Sequence, residues 1–542
     1  MNVLIIGGVA AGTKVAAKLK RDNYQAQVTI LTKGKDISYA GCGLPYYIGN
    51  VIENRESLIV NTPERFSKLT GVEVLTEVEV TKVNPDKKEV EALDLKTNKT
   101  NTYSYDKLVI ATGADPVKPS IDGIDLKGVY FIRTPEDAIN LRQFIEAGKI
   151  KHAVVVGGGF IGMEVAENLA AQGIRVSVIE MSNQILPGFE PEIANYVESH
   201  LANHGIITFT GTKLEAILGD EKVEKVKTSN RTLKADAVIL AIGIRPNTSF
   251  LADSGIQLAV NKAIVVNEHM ETNVKDIYAV GDCAIVSNLL TGKEAYSPMG
   301  SSANIEGRIL AQNLNGRRIS YKGVLGTAVV KLPELNVGKT GLTEDAAKAE
   351  GFDAVAAVTV VDDKAHYYPG ASNFIVKMIA DRNTKKLLGL QVVGQGAVDK
   401  MVDIAVMAIS LNATLDDIKD LDLSYAPPFS TAIHPFSHTV NVLLNKISGE
   451  IRSITPREYS EGKAEGYKVV DASSRPSIAG AAFIDLSKVH EELPQFDKDE
   501  KLLLVCTKGK RAYMLQKRLK SFGYTNTIMI PEIKTDKTAK IS

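Results

Sequence analysis

One pattern occurs twice and leaves few folds open to this chain. Val3-Leu4-Ile5-Ile6 runs into Gly7-Gly8-Val9-Ala10-Ala11-Gly12. Much later, Ala153-Val154-Val155-Val156 runs into Gly157-Gly158-Gly159-Phe160-Ile161-Gly162. Apolar residues at helical spacing follow each turn: Val15, Ala16 and Leu19 in the first, Val165 and Leu169 in the second. A second apolar run then comes at residues 28–31 and 176–179. Strand, glycine turn, helix and strand make the βαβ unit that binds a dinucleotide. The glycines let backbone approach a pyrophosphate closely, and the helix N-terminus favours its charge.

The two turns differ. The second is a full G-x-G-x-x-G, and the strand after its helix ends at Glu180. A carboxylate there accepts hydrogen bonds from ribose hydroxyls and repels a 2′-phosphate, so NADH is expected over NADPH, with NADPH as an alternative donor. The first turn has Val9 where the middle glycine belongs, and its second strand ends at Thr32. Further apolar runs end in glycine at Ala111-Thr112-Gly113 and at Gly243, and Gly281-Asp282-Cys283-Ala284 follows another. Two nucleotide units plus this late acidic turn suggest a second anchor, Asp282, on the first cofactor.

A chain of 542 residues is too long for one core and is expected to form three or four domains. Lys+Arg and Asp+Glu are both 64, which argues against electrostatic nucleic-acid binding. Three cysteines cannot build a disulfide framework and suit a reducing compartment. The sequence shows neither a secretory leader nor a long apolar span, so a cytoplasmic protein is expected. From about residue 321 the pattern becomes strand-rich, with strands expected at 327–331, 355–361, 374–379 and 388–393 and a helix at 399–409. Residues 446–456 read as a linker. A small α/β unit follows from residue 467, and the polar stretch at 531–542 reads as a frayed tail.

Cys42 stands in Ser38-Tyr39-Ala40-Gly41-Cys42-Gly43-Leu44-Pro45-Tyr46-Tyr47. A lone cysteine is most often an inert small core residue. Here flanking glycines leave space around its sulfur. Metal binding is disfavoured, because no cysteine or histidine lies nearby at ligand spacing.

Taken together, the two fingerprints, the Ala-Thr-Gly strand end, Gly-Asp-Cys-Ala and the single-cysteine loop resemble the flavoprotein pyridine-nucleotide disulfide reductases over about residues 1–444. Within that group the chain is most similar to the coenzyme A disulfide reductases. These share the G-x-V-x-x-G variant, the C-x-x-P-Y loop (Cys42, Pro45, Tyr46), Tyr367-Tyr368-Pro369-Gly370 and Tyr425-Ala426-Pro427-Pro428. The final unit resembles a rhodanese domain, with Cys506-Thr507-Lys508-Gly509-Lys510-Arg511 as the persulfide loop. The resemblance implies an α/β fold of two nested Rossmann-like domains: FAD at residues 1–113 and 247–320, NADH at 114–246. An α+β dimerisation domain follows at 321–445 and a rhodanese-like domain at 446–542.

The resemblance also implies roles. FAD would meet Gly7, Val9, Ala10, Gly12, Thr32, Ala111, Thr112, Gly113 and Asp282. NADH would meet Gly157, Gly159, Phe160, Ile161, Gly162, Glu164, Glu180 and Gly243. Relatives with an internal dithiol carry a second cysteine where this chain has Tyr47. Cys42 is therefore expected to pair with an external thiol, forming a mixed disulfide with coenzyme A. Tyr367 and Tyr425 are expected to reach it from the other subunit of a homodimer as proton or hydrogen-bond donors. Tyr368 reads as interface packing and Cys283 as an idle residue of the flavin turn. The coenzyme A path is expected along Lys14, Lys18 and Arg21, at i, i+4 and i+7 of the first helix, with Ser38 and Gly41. Asn61, Arg65, Asn304 and Arg511 are the remaining candidate substrate contacts.

The expected activity is NADH-dependent reduction of CoA-disulfide, CoA-persulfide or polysulfide, with sulfane sulfur carried on Cys506 and stabilised by Lys508, Lys510 and Arg511. The rhodanese motif is degenerate: its acidic and arginine start survives only as Asp471 and Arg475. A rival is an NADH oxidase or peroxidase of the same fold that cycles Cys42 through a sulfenic acid. Such enzymes carry a histidine in the first glycine turn where this chain has Ala10. A non-catalytic redox sensor or sulfur-trafficking partner would have little use for two nucleotide sites.

Overall fold

The computed structural model describes residues 1–531. The tail expected at 531–542 lies outside these residues beyond Pro531. The chain divides into two compact units, Met1–Met181 with Thr212–Val324, and Ser182–Gly211 with the residues from Leu325 onward. The segment Ser182–Gly211 falls within the stretch expected to bind NADH, yet it packs in the second unit.

The first unit holds both repeats. Five parallel strands line up in the order Ile277–Ala279, Lys107–Ile110, Asn2–Ile6, Gln27–Thr32 and Glu73–Thr76. The second repeat places Arg175–Ile179, His152–Val156, Ala237–Leu240 and Val129–Phe131 side by side, again parallel. The first-turn strands read as unbroken apolar runs because both sheet faces are covered. Val3, Ile5 and Val109 pack in one core and Leu4, Ile6 and Leu108 in another. A three-stranded antiparallel sheet is inserted between strands of each parallel sheet, Val78–Asn84 to Lys99–Ser104 in the first and Leu214–Leu218 to Thr232–Lys234 in the second.

The second unit is built on an antiparallel sheet ordered Ala328–Leu332, Leu335–Gly341, Leu387–Gly394, Asn373–Asp381 and Ala354–Asp362. The four expected strands are present within one or two residues of their expected ends. Leu335–Gly341 escaped notice because its glycines and polar residues break the apolar run. Helix Val398–Ser410 stands where one was expected. The C-terminal part is a parallel sheet ordered Ala482–Phe483, Lys468–Asp471, Leu502–Cys506 and Thr527–Pro531, with helix Lys510–Ser521 after the Cys506 loop.

The expected linker does more than connect. Lys446 and Ile447 end a helix, Pro435–Ile447. Ile451 is buried in the C-terminal core. Ile454 donates its N–H to the Met529 carbonyl, and Met529 donates to Arg452. The segment thus covers the open edge of the C-terminal sheet, an edge that would otherwise invite pairing with another chain. Among the described residues no helix is long and apolar enough to cross a membrane.

Candidate active site

The glycine turns fit a dinucleotide by construction. Gly7 has φ +108°, and a Cβ there would stand 2.1 Å from the Ala111 carbonyl oxygen. A Cβ on Gly12 would stand 1.9 Å from the Gly7 carbonyl oxygen, so the helix Ala11–Asp22 can approach the strand only with glycine. The second turn repeats this: Gly157 has φ +110° with Ala241 O at 2.3 Å, and Gly162 has Gly157 O at 2.0 Å. A Cβ on the middle glycine, Gly159, would meet no protein atom within 4 Å. Of the turn's three motif glycines, only that one faces space rather than neighbouring backbone, as a pyrophosphate requires. This explains why Val9 in the first turn is compatible with the same backbone. The chain thus supplies two cradles, one with Gly7, Gly12, Thr32 and Gly113, the other with Gly157, Gly159, Gly162 and Gly243.

The acidic partners sit at the cradle mouths. Glu180 accepts a hydrogen bond from the Gly158 N–H at 2.7 Å. Asp282 pairs with Arg133 at 3.1 Å. Beneath it, Glu306 is buried and accepts from the Gly281 N–H at 2.6 Å. Burial raises the Glu306 carboxyl to about 7, with the Asp282 charge adding to it. Cys283 is fully buried, its thiol directed to the Ile110 and Val280 carbonyls and raised by burial to about 11. A thiol so placed is inert near neutral pH, in keeping with the idle reading. Arg133 and Glu306 carry no motif signal and were not legible in the sequence.

Cys42 occupies a short turn, Gly41–Gly43, that leads into helix Leu44–Ile48. Its residue is exposed. Protein crowds the sulfur from behind, and this desolvation pushes the thiol up, helped by Glu164 and Asp282 and opposed by Arg133. Ser38 enters this loop with φ +47° and donates its N–H to the Gly8 carbonyl, tying the cysteine loop to the first glycine turn. The helix after Cys42 is pressed against the second-fingerprint helix Phe160–Ala171. A Cβ on Gly49 would stand 2.0 Å from Asn168 Oδ1, and Gln172 donates to the Gly49 carbonyl at 2.6 Å. Tyr46 donates to Glu164 at 3.1 Å. The Cys42 loop is therefore held by elements of both glycine-turn repeats.

The candidate coenzyme A contacts are mixed. Lys14 lies against the second helix of the first core, where a Cβ on Gly307 would meet its side chain at 3.1 Å. Asn304, on that same helix Gly300–Leu314, is exposed and donates back to the Gly300 carbonyl. Lys18, by contrast, is paired with Asp22 one turn on. Arg21, Gly41 and Arg65 are exposed and Asn61 is half-buried.

In the second unit Tyr367 and Tyr425 come together from distant parts of the chain. The neighbouring Tyr367 phenol raises that of Tyr425. Both are open to solvent, at 66% and 49% exposure. Cys506, at the end of its strand, is 3% exposed and accepts the Ala512 N–H at 3.3 Å. Two of the basic residues expected to attend it are engaged elsewhere. Lys508 pairs with Asp362 at 2.6 Å, and Arg511 donates to the Ala472 carbonyl at 2.9 Å. Asp471 caps its own turn, accepting from the N–H groups of Ser473, Ser477 and Ile478. Among the described residues no cluster of side chains is arranged to hold a metal ion.

Sequence comparison decides the family. Residues 1–305 match the pyridine nucleotide-disulphide oxidoreductase profile, and residues 327–435 match the dimerisation domain of that family. The chain belongs to the pyridine nucleotide-disulphide oxidoreductase family. As a member of it, the protein is an FAD- and NAD(P)H-dependent oxidoreductase, and the two cradles fit that pair.

The relatives narrow the comparison. An NADH oxidase of Methanocaldococcus jannaschii is 35% identical over 83% of this chain and all of its own length. An NAD(P)H sulfur oxidoreductase (CoA-dependent) of Pyrococcus abyssi is 37% identical over 82% of this chain and 98% of its own. A coenzyme A disulfide reductase of Staphylococcus aureus is 31% identical over 80% and 97%. The solved structure of an NAD-dependent persulfide reductase from A. fulgidus superposes with a TM-score of 0.93 at 34% identity. It covers 98% of this chain and 99% of its own. That likeness takes in the C-terminal sheet as well as the family core.

Proposed function

We propose that this oxidoreductase passes electrons from NADH through FAD to a sulfur substrate, namely CoA-disulfide, CoA-persulfide or polysulfide, by way of a Cys42–S–S–CoA mixed disulfide. The observation that carries the reading is the open Cys42 thiol, locked between the two nucleotide units. The other two cysteines, Cys283 and Cys506, are buried. FAD, held at the first cradle, supplies the relay of two electrons from NADH to sulfur. Cys42 as thiolate attacks one sulfur of a CoA-disulfide; the S–S bond breaks and CoA thiolate leaves. Two electrons then reduce the mixed disulfide, returning the Cys42 thiolate and a second CoA thiolate. In this reading Tyr367 and Tyr425 of the partner subunit supply the hydrogen bond or proton to the departing thiolate.

The domain assignment follows this reading: FAD at residues 1–113 and 247–320, NADH at 114–246, a dimerisation domain at 321–445 and a rhodanese-like domain at 446–542. Homodimerisation is supported by the exposed Met407, Leu411, Leu421, Phe429 and Ile433, apolar residues of the second unit that solvent alone would disfavour. Glu180 supports NADH over NADPH. The variant Glu180→Arg is expected to move the kcat/KM ratio toward NADPH tenfold or more, since a charge-assisted hydrogen bond contributes roughly 1.5–3 kcal/mol. Equal or better use of NADPH by the unaltered protein overturns this assignment.

The test of function is one set of steady-state assays on flavin-loaded protein. NADH oxidation is expected to need CoA-disulfide or polysulfide and to be slight with oxygen or peroxide alone; brisk peroxide or oxygen turnover would favour the oxidase reading. Cys506→Ser is expected to lower turnover with polysulfide and leave CoA-disulfide turnover near its original value. An unchanged polysulfide rate makes the C-terminal sheet a structural part. Equal loss with both substrates gives it a role in folding or assembly.

A further inference from the structure

Helix Gly300–Leu314 packs along helix Ala11–Asp22, which grows out of the first glycine turn. Two adjacent residues, Glu306 and Gly307, shape this contact. A Cβ on Gly307 would stand 2.9 Å from the Ala11 carbonyl oxygen and 3.1 Å from Lys14 Cβ, so the helices lie this close because the residue is glycine. Glu306 is 1% exposed and accepts the Gly281 N–H at 2.6 Å. Gly281 in turn has φ +77°, and a Cβ there would stand 3.0 Å from Ala11 Cβ. Helix Gly300–Leu314 and the Gly281–Asp282 turn thus both meet the first glycine turn at the buried Ala11.

We propose that Glu306 is a positioning residue for FAD: its carboxyl pins the Gly281 N–H, and together with Gly307 it sets where Asp282 stands relative to the first glycine turn. The residues around that corner have other supports. The Val280 N–H is held by the Ile110 carbonyl at 3.0 Å, and the Cys283 carbonyl accepts the Ile264 N–H at 2.8 Å. Tyr296 donates to the Asp282 carbonyl at 2.8 Å. The corner itself is a buried glycine, whose conformational freedom leaves its direction to the hydrogen bond it makes. A buried N–H without an acceptor is costly, so without Glu306 the corner turns to find one and carries Asp282 with it. An acceptor is all the corner needs. Burial raises the Glu306 carboxyl to about 7, and a carboxyl keeps an accepting oxygen whether ionised or protonated. The amide oxygen of a glutamine serves equally well. Two anchors that grip one dinucleotide hold it more tightly when their spacing is fixed beforehand, because less ordering is left to accompany binding.

The inference rests on the reading that FAD lies at the first glycine turn with Asp282 as a second anchor. Flavin-loaded protein is diluted, and release of FAD is followed as the rise in flavin fluorescence. Asp282→Ala tests the reading by itself: faster release is expected, and release at the original rate overturns the reading and the inference with it. Glu306→Leu and Gly307→Ala are each expected to speed release by on the order of tenfold, while Glu306→Gln stays within about twofold of the unaltered protein. The NADH concentration that half-saturates flavin reduction is expected to stay the same in all three, since the second glycine turn is untouched. Faster release from Asp282→Ala beside an original rate from Glu306→Leu overturns the inference and spares the reading. Release from Glu306→Gln as fast as from Glu306→Leu would make charge rather than position the cause, and a parallel loss of NADH affinity would make it a general loosening; either overturns the proposal. Where Glu306→Leu fails to fold, Gly307→Ala decides alone, and FAD release from it at the original rate is the overturning result.

Discussion

Cys42→Ser is expected to lower NADH-dependent reduction of CoA-disulfide and polysulfide by on the order of a hundredfold or more, with flavin still bound. A hydroxyl in place of the thiol cannot form the mixed disulfide, and no neighbouring sulfur can stand in. Cys283 is enclosed between the Ile110 and Val280 carbonyls, and Cys506 is buried at the end of its own strand. Flavin retention is expected because the glycine turn proposed to hold FAD, with Gly7, Gly12 and the Gly113 strand end, has a backbone that the substitution does not touch. The measurement is a pair: the flavin absorbance of purified variant, and its steady-state rate with each substrate. A rate above a few per cent of the original, at full flavin content, would sink the mixed-disulfide mechanism. Loss of flavin together with activity would instead make Cys42 part of the flavin site.

What the sequence discloses here is what local chemistry dictates. The glycine turns are legible because sterics permit only glycine at Gly7, Gly12, Gly157 and Gly162, each within about 2 Å of a carbonyl oxygen if given a Cβ. The strands 354–362 and 373–381 are legible because both are apolar nearly throughout. What the sequence conceals is side-chain pairing across long separations. Lys18 reads as a phosphate contact until Asp22 is seen to occupy it. Lys508 and Arg511 read as attendants of Cys506, yet they hold the loop to Asp362 and Ala472. Tyr46 reads as part of a motif, with no hint that its phenol meets a glutamate 118 residues away. The excursion 182–211 is the largest such case, and a single lysine shows what draws it into the second unit.

That lysine is Lys377, in the apolar strand Asn373–Asp381, where alternation would suggest a solvent-facing site. It is 0% exposed. Its ammonium lies 3.0 Å from Glu190, 2.9 Å from Glu192 and 3.2 Å from Glu344. Glu190 also accepts the Glu344 N–H at 2.6 Å, and Arg457 approaches it at 3.8 Å. Burial alone would drive the proton off Lys377, but the three glutamates outweigh it and hold the ammonium above its ordinary range. The cluster joins the excursion, the central sheet and helix Glu344–Ala349. Lys377→Met removes the one charge at its centre and leaves the carboxylates buried with support only at their rim. Breaking a buried pair from one side costs about 3–5 kcal/mol, so a marked fall in the unfolding midpoint is expected near neutral pH. The pH dependence has a definite sign. With Lys377 gone, burial raises Glu192 further above its unfolded value, so the folded state binds more protons. The deficit is then full above the raised value and shrinks as pH falls through it toward the unfolded carboxylate range. Adding Glu192→Gln should restore part of the loss, because burial raises Glu192 most directly and Lys377 is what opposes it. Thermal midpoints for the single and double variants, at neutral and mildly acidic pH, measure all three effects. A single variant within about 1 kcal/mol of the original at neutral pH, or one that loses further ground on acidification, would show that Lys377 does not hold the excursion in place.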